Sequence, residues 1–166
     1  LKHCQDYANR AIKQLDLDKN KQVIEIASND GCLLNFFKEK EIPVLGIEPA
    51  KNIAKNAEAS GIPTINKFFN SQLAQELAST QKQADLLIGN NDLAHVPNLN
   101  DFIVSLKIIL KPKGVITLEF PSLLELMEHN QFDTIYHEHF SYFSYLTIEK
   151  IFTYHGLSLF DVEELK

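Results

Sequence analysis

The stretch Gln22-Val-Ile-Glu-Ile-Ala27-Ser-Asn-Asp-Gly31-Cys-Leu-Leu34 decides the fold. Gln22 to Ala27 is a short apolar run with β-branched residues, which predicts a strand. Ser28-Asn29-Asp30-Gly31 is turn chemistry. Leu33, Leu34, Phe36 and Phe37 then recur at helical spacing. A strand passing through so short a turn into a helix is the first half of a βαβ unit.

The same rhythm continues downstream. Val44 to Glu48 reads as a second strand, Pro49 as its exit, and Ile53, Ala54 and Ala57 as a helix running to Gly61. Pro63–Ile65 is a short third strand, and Leu73–Leu77 a helix. Ala84–Gly89 is a fourth strand, followed by a helix over Phe102–Leu110. Lys111-Pro112-Lys113-Gly114 is a turn, and Val115–Phe120 a fifth strand. Leu123–Met127 is a helix, and Thr147–His155 another, with Gly156 as its C-cap. Leu157–Val162 is a sixth strand. Upstream, Cys4, Tyr7, Ala8, Ala11, Ile12 and Leu15 share one face of a helix that ends before Asp16, Asp18 and Asn20. The alternation predicts a single α/β domain over residues 1–166. It is Rossmann-like, with a mainly parallel sheet of six or seven strands and helices on both faces.

Composition narrows the function classes. The 166 residues carry a net charge of −6 and are 45% hydrophobic, enough for a real core. There is no run of about 18 apolar residues, so no membrane span is expected. The acidic balance argues against binding a nucleic-acid backbone. Cys4 and Cys32 form no CxxC, which disfavours a thiolate metal knuckle or a disulfide scaffold and suits a reducing cytoplasm. The chain opens at Leu1 and its one methionine is Met127, so a segment of a longer protein is expected; no signal peptide is visible.

Ligands of such sheets bind beyond the carboxyl ends of the strands. The Ala27–Gly31 turn after the first strand brings backbone N–H groups and a helix N-terminus toward that edge. Glu48 stands 21 positions past Ala27, where an acid takes both hydroxyls of a ribose. The turn is not GxGxxG: Ala27 and Asn29 replace glycines and only Gly31 remains. That disfavours a dinucleotide pyrophosphate and suits S-adenosylmethionine, which has no phosphate. The competing reading is a plain strand–helix turn with a solvated Glu48. After the fourth strand, Asn91 and His95 lie four apart and would share a face of a helical turn; the alternative is Asn91 as a helix N-cap with a surface His95. This segment lacks the Asn/Asp-Pro-Pro-aromatic signature of nucleic-acid amino methyltransferases. The densest chemistry runs from Phe132 to Ser144. If helical, Tyr136 and His139 share a face; if extended, His137 and His139 do. A third ligand at a recognisable spacing is lacking, so no metal is predicted.

These motifs together resemble the catalytic domain of the sugar-nucleotide C-methyltransferases. Glu25-Ile-Ala-Ser-Asn-Asp-Gly31 is similar to the family's Glu-Ile-Gly-Cys-Asn-Asp-Gly. Gly46-Ile-Glu48-Pro49 matches its Gly-x-Glu-Pro, and Phe68-Phe69 its phenylalanine pair. Asn91-Asp-Leu-Ala-His95-Val-Pro97 is similar to Asn-Thr-Leu-Cys-His-Ile-Pro. Phe132-Asp-x-Ile-Tyr136-x-Glu138-His139-Phe140-x-x-Phe143-Ser144 resembles the family's most specific motif. The resemblance implies S-adenosylmethionine as cofactor, held by Glu25, Ala27, Ser28, Asn29, Gly31, Glu48, Pro49, Phe68, Phe69 and Asn90, with Glu48 on the ribose and the phenylalanines near the adenine. It implies His139, Tyr136, Glu138, His95 and Asn91 around the reacting carbon of a nucleotide-linked sugar.

The chemistry agrees with that set. Methylating carbon needs a carbanion equivalent, and a 4-keto sugar supplies one as an enolate. A neutral histidine is a suitable base near neutral pH, Tyr136 can donate to the oxyanion, and Glu138 can fix the imidazole tautomer. The resemblance also implies a cysteine-rich zinc region before this domain, and after it a second nucleotide-fold region and a seventh strand; without them a sheet edge is left open to association. A small-molecule O- or N-methyltransferase and a non-catalytic interaction module are the alternatives. The oligomeric state is left open.

Overall fold

The structure is a computed structural model that describes residues 1–165. In chain order its elements are α1 (Lys2–Gln14), β1 (Val23–Ile26), α2 (Cys32–Lys38), β2 (Val44–Ile47), α3 (Lys51–Ala59), β3 (Thr64–Ile65), α4 (Ser71–Ser79), β4 (Ala84–Asn90), α5 (Leu99–Ile109), β5 (Leu110–Glu119), α6 (Leu123–Glu128) and α7 (Tyr145–Tyr154). Single 3-10 turns lie at Leu93–His95 and Phe132–Thr134. Every strand pair is parallel, in the order β3-β2-β1-β4-β5.

Side-chain alternation divides the core between the two faces of the sheet. Val23, Leu86 and Ile88 point to one face, against Ala8 and Ala11 of α1, Leu33, Leu34 and Phe37 of α2 and Ala57 of α3. Ile24, Ile26, Leu45, Ile47 and Leu87 point to the other, against α4, α5 and Ile148 and Phe152 of α7. Both faces being covered explains why the central strands read as nearly continuous apolar runs. Helix starts are fixed locally: Asn70, Asn98 and Ser144 accept from Leu73, Asp101 and Thr147 N–H groups.

Two expectations are corrected. Among the described residues the sheet has five strands, not six or seven. Leu157–Val162 joins no strand of the sheet and is largely exposed; Arg10 of α1 binds Glu163 at 2.7 Å. The second correction is that Lys111–Gly114 belongs to β5. A register irregularity opposite Ala84 and Leu86 absorbs the proline, and the Lys111 ammonium binds Asp85. Gly114 lies so near β4 that a Cβ would sit 2.7 Å from the Ala84 carbonyl oxygen. Among the described residues no helix is long and apolar enough to cross a membrane.

Candidate active site

The winding direction reverses between β1 and β4, so a crevice opens where the loops leaving them diverge. The loops after β1, β2 and β4 line it. In the first, Ala27, Asn29 and Gly31 all take left-handed backbone, at φ of 52°, 50° and 77°. Glu48, at the end of β2, is buried at 5% exposure. Its carboxylate accepts the Asn29 N–H at 3.0 Å and the Ala50 N–H at 2.7 Å, one on each oxygen. Asn66 holds the same loop through the Glu48 and Pro49 carbonyls. Each Glu48 oxygen keeps a second lone pair, so the carboxylate can still accept from two vicinal hydroxyls. This acceptor pair fits the ribose hydroxyls of a nucleoside.

The other cofactor candidates are spread more widely. Ser28 is buried, its Oγ is without a partner, and it occupies the notch left by the missing side chain of Gly46. Glu25 points to the α1–α2 face, where Oε2 has no partner; burial first, and the Asp30 charge second, push its carboxyl up to about 8. Burial likewise raises the Tyr7 phenol, whose hydroxyl meets Thr117 of β5. The phenylalanine pair separates: Phe69 packs edge-on to Phe102 in the core, while Phe68 is 77% exposed. Phe68 borders a hollow of about 310 Å³ at the start of α4. A second hollow, of about 390 Å³, lies at the opposite end of the strands beside Pro43 and Pro63 and carries none of the candidate residues. Asn90 ends β4 and is half-buried.

Of the residues expected around the reacting carbon, His139, Tyr136 and His95 come together from two loops, whereas the Asn91 and Glu138 side chains do not join them. Asn91, left-handed at φ 56°, stands outside the turn that carries His95, so the two do not share a helical face. The segment 132–141 docks on that turn through the Phe140 and Ser141 N–H groups, both donated to the Ala94 carbonyl. Docking sets the His139 ring 4.7 Å from the His95 ring and 4.3 Å from the Tyr136 ring, centroid to centroid.

The hydrogen bonds fix both tautomers. His139 Nδ1 lies 2.8 Å from the Thr134 carbonyl oxygen, an acceptor only, so Nδ1 carries the proton. Nε2 then holds a lone pair and accepts from the Tyr136 hydroxyl at 3.1 Å. His95 Nδ1 donates to the Glu138 carbonyl at 3.0 Å, which leaves its Nε2 free. The expectation that Glu138 orients the imidazole through its carboxylate is thus corrected. The Glu138 side chain is exposed, its backbone oxygen serves His95, and Thr134 serves His139. Carbonyls act here because a β-turn-like chain path brings them within reach, whereas Glu138 faces water.

Two participants escaped sequence reading. Tyr142 packs edge-on to His139 and reaches the Thr134 carbonyl at 3.4 Å. Asp92, between Asn91 and the 3-10 turn, has its charge coupled to both His95 and Glu48; burial pushes its carboxyl up, the His95 charge opposes this, and Glu48 adds to it. An acid directly after β4 was the available signal. Among the described residues no three His, Cys, Asp or Glu side chains converge as a metal set.

Known proteins agree with this architecture. The chain is 35% identical over 162 residues to the C-methyltransferase NovU of Streptomyces niveus, covering 98% of this chain and 39% of that relative's length. The fold is similar to a SAM-dependent methyltransferase from Archaeoglobus fulgidus, at TM-score 0.70 and 18% identity, covering 92% of this chain and 68% of that one. It is also similar to the plantazolicin methyltransferase BpumL in complex with SAH, at TM-score 0.69 and 12% identity, covering 92% and 62%. The family model described as a methyltransferase domain matches residues 2–162. The chain therefore belongs to the methyltransferase domain family, and its cofactor is S-adenosylmethionine.

Proposed function

We propose that residues 1–166 act as a C-methyltransferase domain, methylating the carbon next to the ketone of a nucleotide-linked 4-keto deoxysugar. The observation that carries the reading is the His139–Tyr136–His95 cluster, two imidazoles whose Nδ1 atoms each face a backbone carbonyl, with the Tyr136 hydroxyl at the other nitrogen of His139. A base so placed can also activate a hydroxyl, which is a weak nucleophile until it loses its proton, but a carbon acceptor cannot react without one. The cluster suits a substrate whose carbon must first lose a proton. The C-methyltransferase name of the 35% identical relative supports the same class.

In this reading Glu48 accepts from the cofactor ribose, and the Ala27–Gly31 turn, with Glu25, Ser28 and Asn29, forms the floor beneath the methionine part. Pro49, Phe68, Phe69 and Asn90 border the adenosine. When bound, S-adenosylmethionine supplies an electrophilic methyl group on a sulfonium. His139 Nε2 takes the proton from the carbon beside the ketone. Nε2 has one lone pair, so the Tyr136 hydroxyl it accepts from in the free protein turns away before this transfer. That hydroxyl is then free to donate to the enolate oxygen, where charge has just developed. His95 and Asn91 hold the sugar from the β4 side, and the Thr134 carbonyl stabilises the imidazolium through Nδ1–H. What remains is alignment of the two carbons.

Solvent deuterium tests the base directly. With a 4-keto deoxysugar nucleotide and no cofactor, deuterium is expected to wash into the carbon beside the ketone. In His139→Ala the exchange should slow by roughly 100-fold or more. Exchange that survives unchanged removes His139 as the base, and no exchange in either protein removes the keto sugar as substrate.

A further inference from the structure

We infer that Gly46 is a positioning residue for the cofactor: the notch left by its missing side chain seats Ser28, and that seat aims the Glu48 carboxylate at the ribose. The inference rests on the reading of Glu48 as the ribose acceptor and is independent of the sugar.

Three consecutive residues, Gly46, Ile47 and Glu48, hold the turn that leaves β1. The left-handed backbone of Ala27, at φ 52°, turns the chain back over β2. The Ser28 side chain then fills the notch at Gly46. The Ser28 N–H donates to the Ile47 carbonyl at 3.2 Å, and the Asn29 N–H to Glu48 Oε2 at 3.0 Å. The links are successive, so a shift of Ser28 carries the Asn29 N–H away from the carboxylate. Oε1 would still be held by the Ala50 N–H at 2.7 Å, and the carboxylate would swing on that one bond. Both oxygens need fixed directions if each is to accept a ribose hydroxyl.

The notch has no slack. A Cβ on Gly46 would overlap the Ser28 Oγ and stand 3.1 Å from both the Ser28 Cβ and the Thr64 Oγ1. Thr64 closes the far side from β3, and its hydroxyl is committed to the Ile62 carbonyl at 3.0 Å. Gly46 itself is paired with Glu25 of β1 and Thr64 of β3, and its N–H donates to the Pro63 carbonyl at 2.8 Å. The strands are fixed, so Ser28 is the part that must move if the notch is filled. Gly46 does not have a left-handed φ, so room rather than backbone freedom requires glycine here. Among the described residues the buried Ser28 hydroxyl has no hydrogen-bond partner, so fit and not bonding seats it.

Calorimetry with S-adenosylmethionine reads the seat. Gly46→Ala and Glu48→Ala are each expected to bind about tenfold more weakly than wild type. Both act through one carboxylate, so Glu48→Ala added to Gly46→Ala should cost less than about twofold more. Ser28→Gly added to Gly46→Ala removes the overlap and should recover most of the lost affinity, which a general loss of stability would not allow. If Gly46→Ala does not fold, Ser28→Thr presses a methyl group into the same notch and should weaken binding to a like degree. Gly46→Ala that binds as wild type does, losses that multiply with Glu48→Ala, or no recovery with Ser28→Gly would each overturn the inference and leave the ribose reading standing. Ser28→Thr with wild-type affinity would do the same. Glu48→Ala with wild-type affinity would overturn the ribose reading and the inference with it.

Discussion

At the scale of single residues, Ala27 shows a local preference overridden by its surroundings. A left-handed φ of 52° costs a residue with a Cβ about 1 kcal/mol. The Glu48 carboxylate, holding the Asn29 N–H, keeps the turn in that shape. Ala27→Gly should therefore stabilise the chain slightly, by up to about 0.5 kcal/mol after the added freedom of the unfolded glycine is subtracted. A urea midpoint that falls would show that the turn is not strained. Glu25 gives a pH-dependent prediction. Its folded carboxyl titrates near 8 and its ordinary value is 4.5, so between those values the folded chain retains a proton that the unfolded chain has released. Stability from this group is full at low pH and is lost as pH climbs through that window. Glu25→Gln lacks the titration, so between pH 5 and pH 8.5 it should gain on the wild type by on the order of 3 kcal/mol in urea unfolding. A constant difference would mean that Glu25 is ionised and solvated. Glu48 was legible in the sequence because its position depends only on strand length and spacing. The partners of His139 and His95 were not legible, because they are carbonyls, which every residue carries.

Among elements, β5 departs furthest from its sequence signal. Pro112 and Gly114 are turn residues, yet the strand continues through them because the Asp85–Lys111 pair and the Gln83 amide fasten its start to β4 and α5. Burial works against the Asp85 charge, but the Lys111 hydrogen bond, the Gln22 N–H and the charges of Lys111 and Lys21 outweigh it and hold the carboxyl below its ordinary value. A depressed folded pKa gives stability that is present above the unfolded value of 3.8 and lost as pH falls through the folded one. Asp85→Asn should accordingly cost about 1–2 kcal/mol near neutrality. The deficit should shrink toward zero in acid below the carboxylate range; thermal unfolding at both pH values checks it, and a deficit that persists in acid would assign the loss to packing. The helices were readable from period, and the first four strands from short apolar runs between turn residues. Leu157–Val162 has a strand's composition, but pairing needs a neighbouring edge, which composition does not report.

For the whole molecule, the alternation of strands and helices was enough to give the parallel sheet and both covered faces, while the strand order, and with it the winding reversal between β1 and β4, came from the structure. The aromatic-rich stretch had no period to follow, so its chain path came only from the folded form; the grouping of Tyr136, His139 and His95 was implied by the resemblance, and their contacts came from the structure. That meeting has a consequence for how the site handles water. Segment 132–141 is seated by two N–H groups on the Ala94 carbonyl, and the same seating supplies the oxygen that orients His95. Lifting the flap would leave the His95 ring free to spin and would carry Tyr136 and His139 away from it. On the proposed mechanism, then, a proton acceptor set correctly toward its neighbours exists only with this segment in its place on the Ala94 carbonyl, and a solvent-filled site without it would lack one.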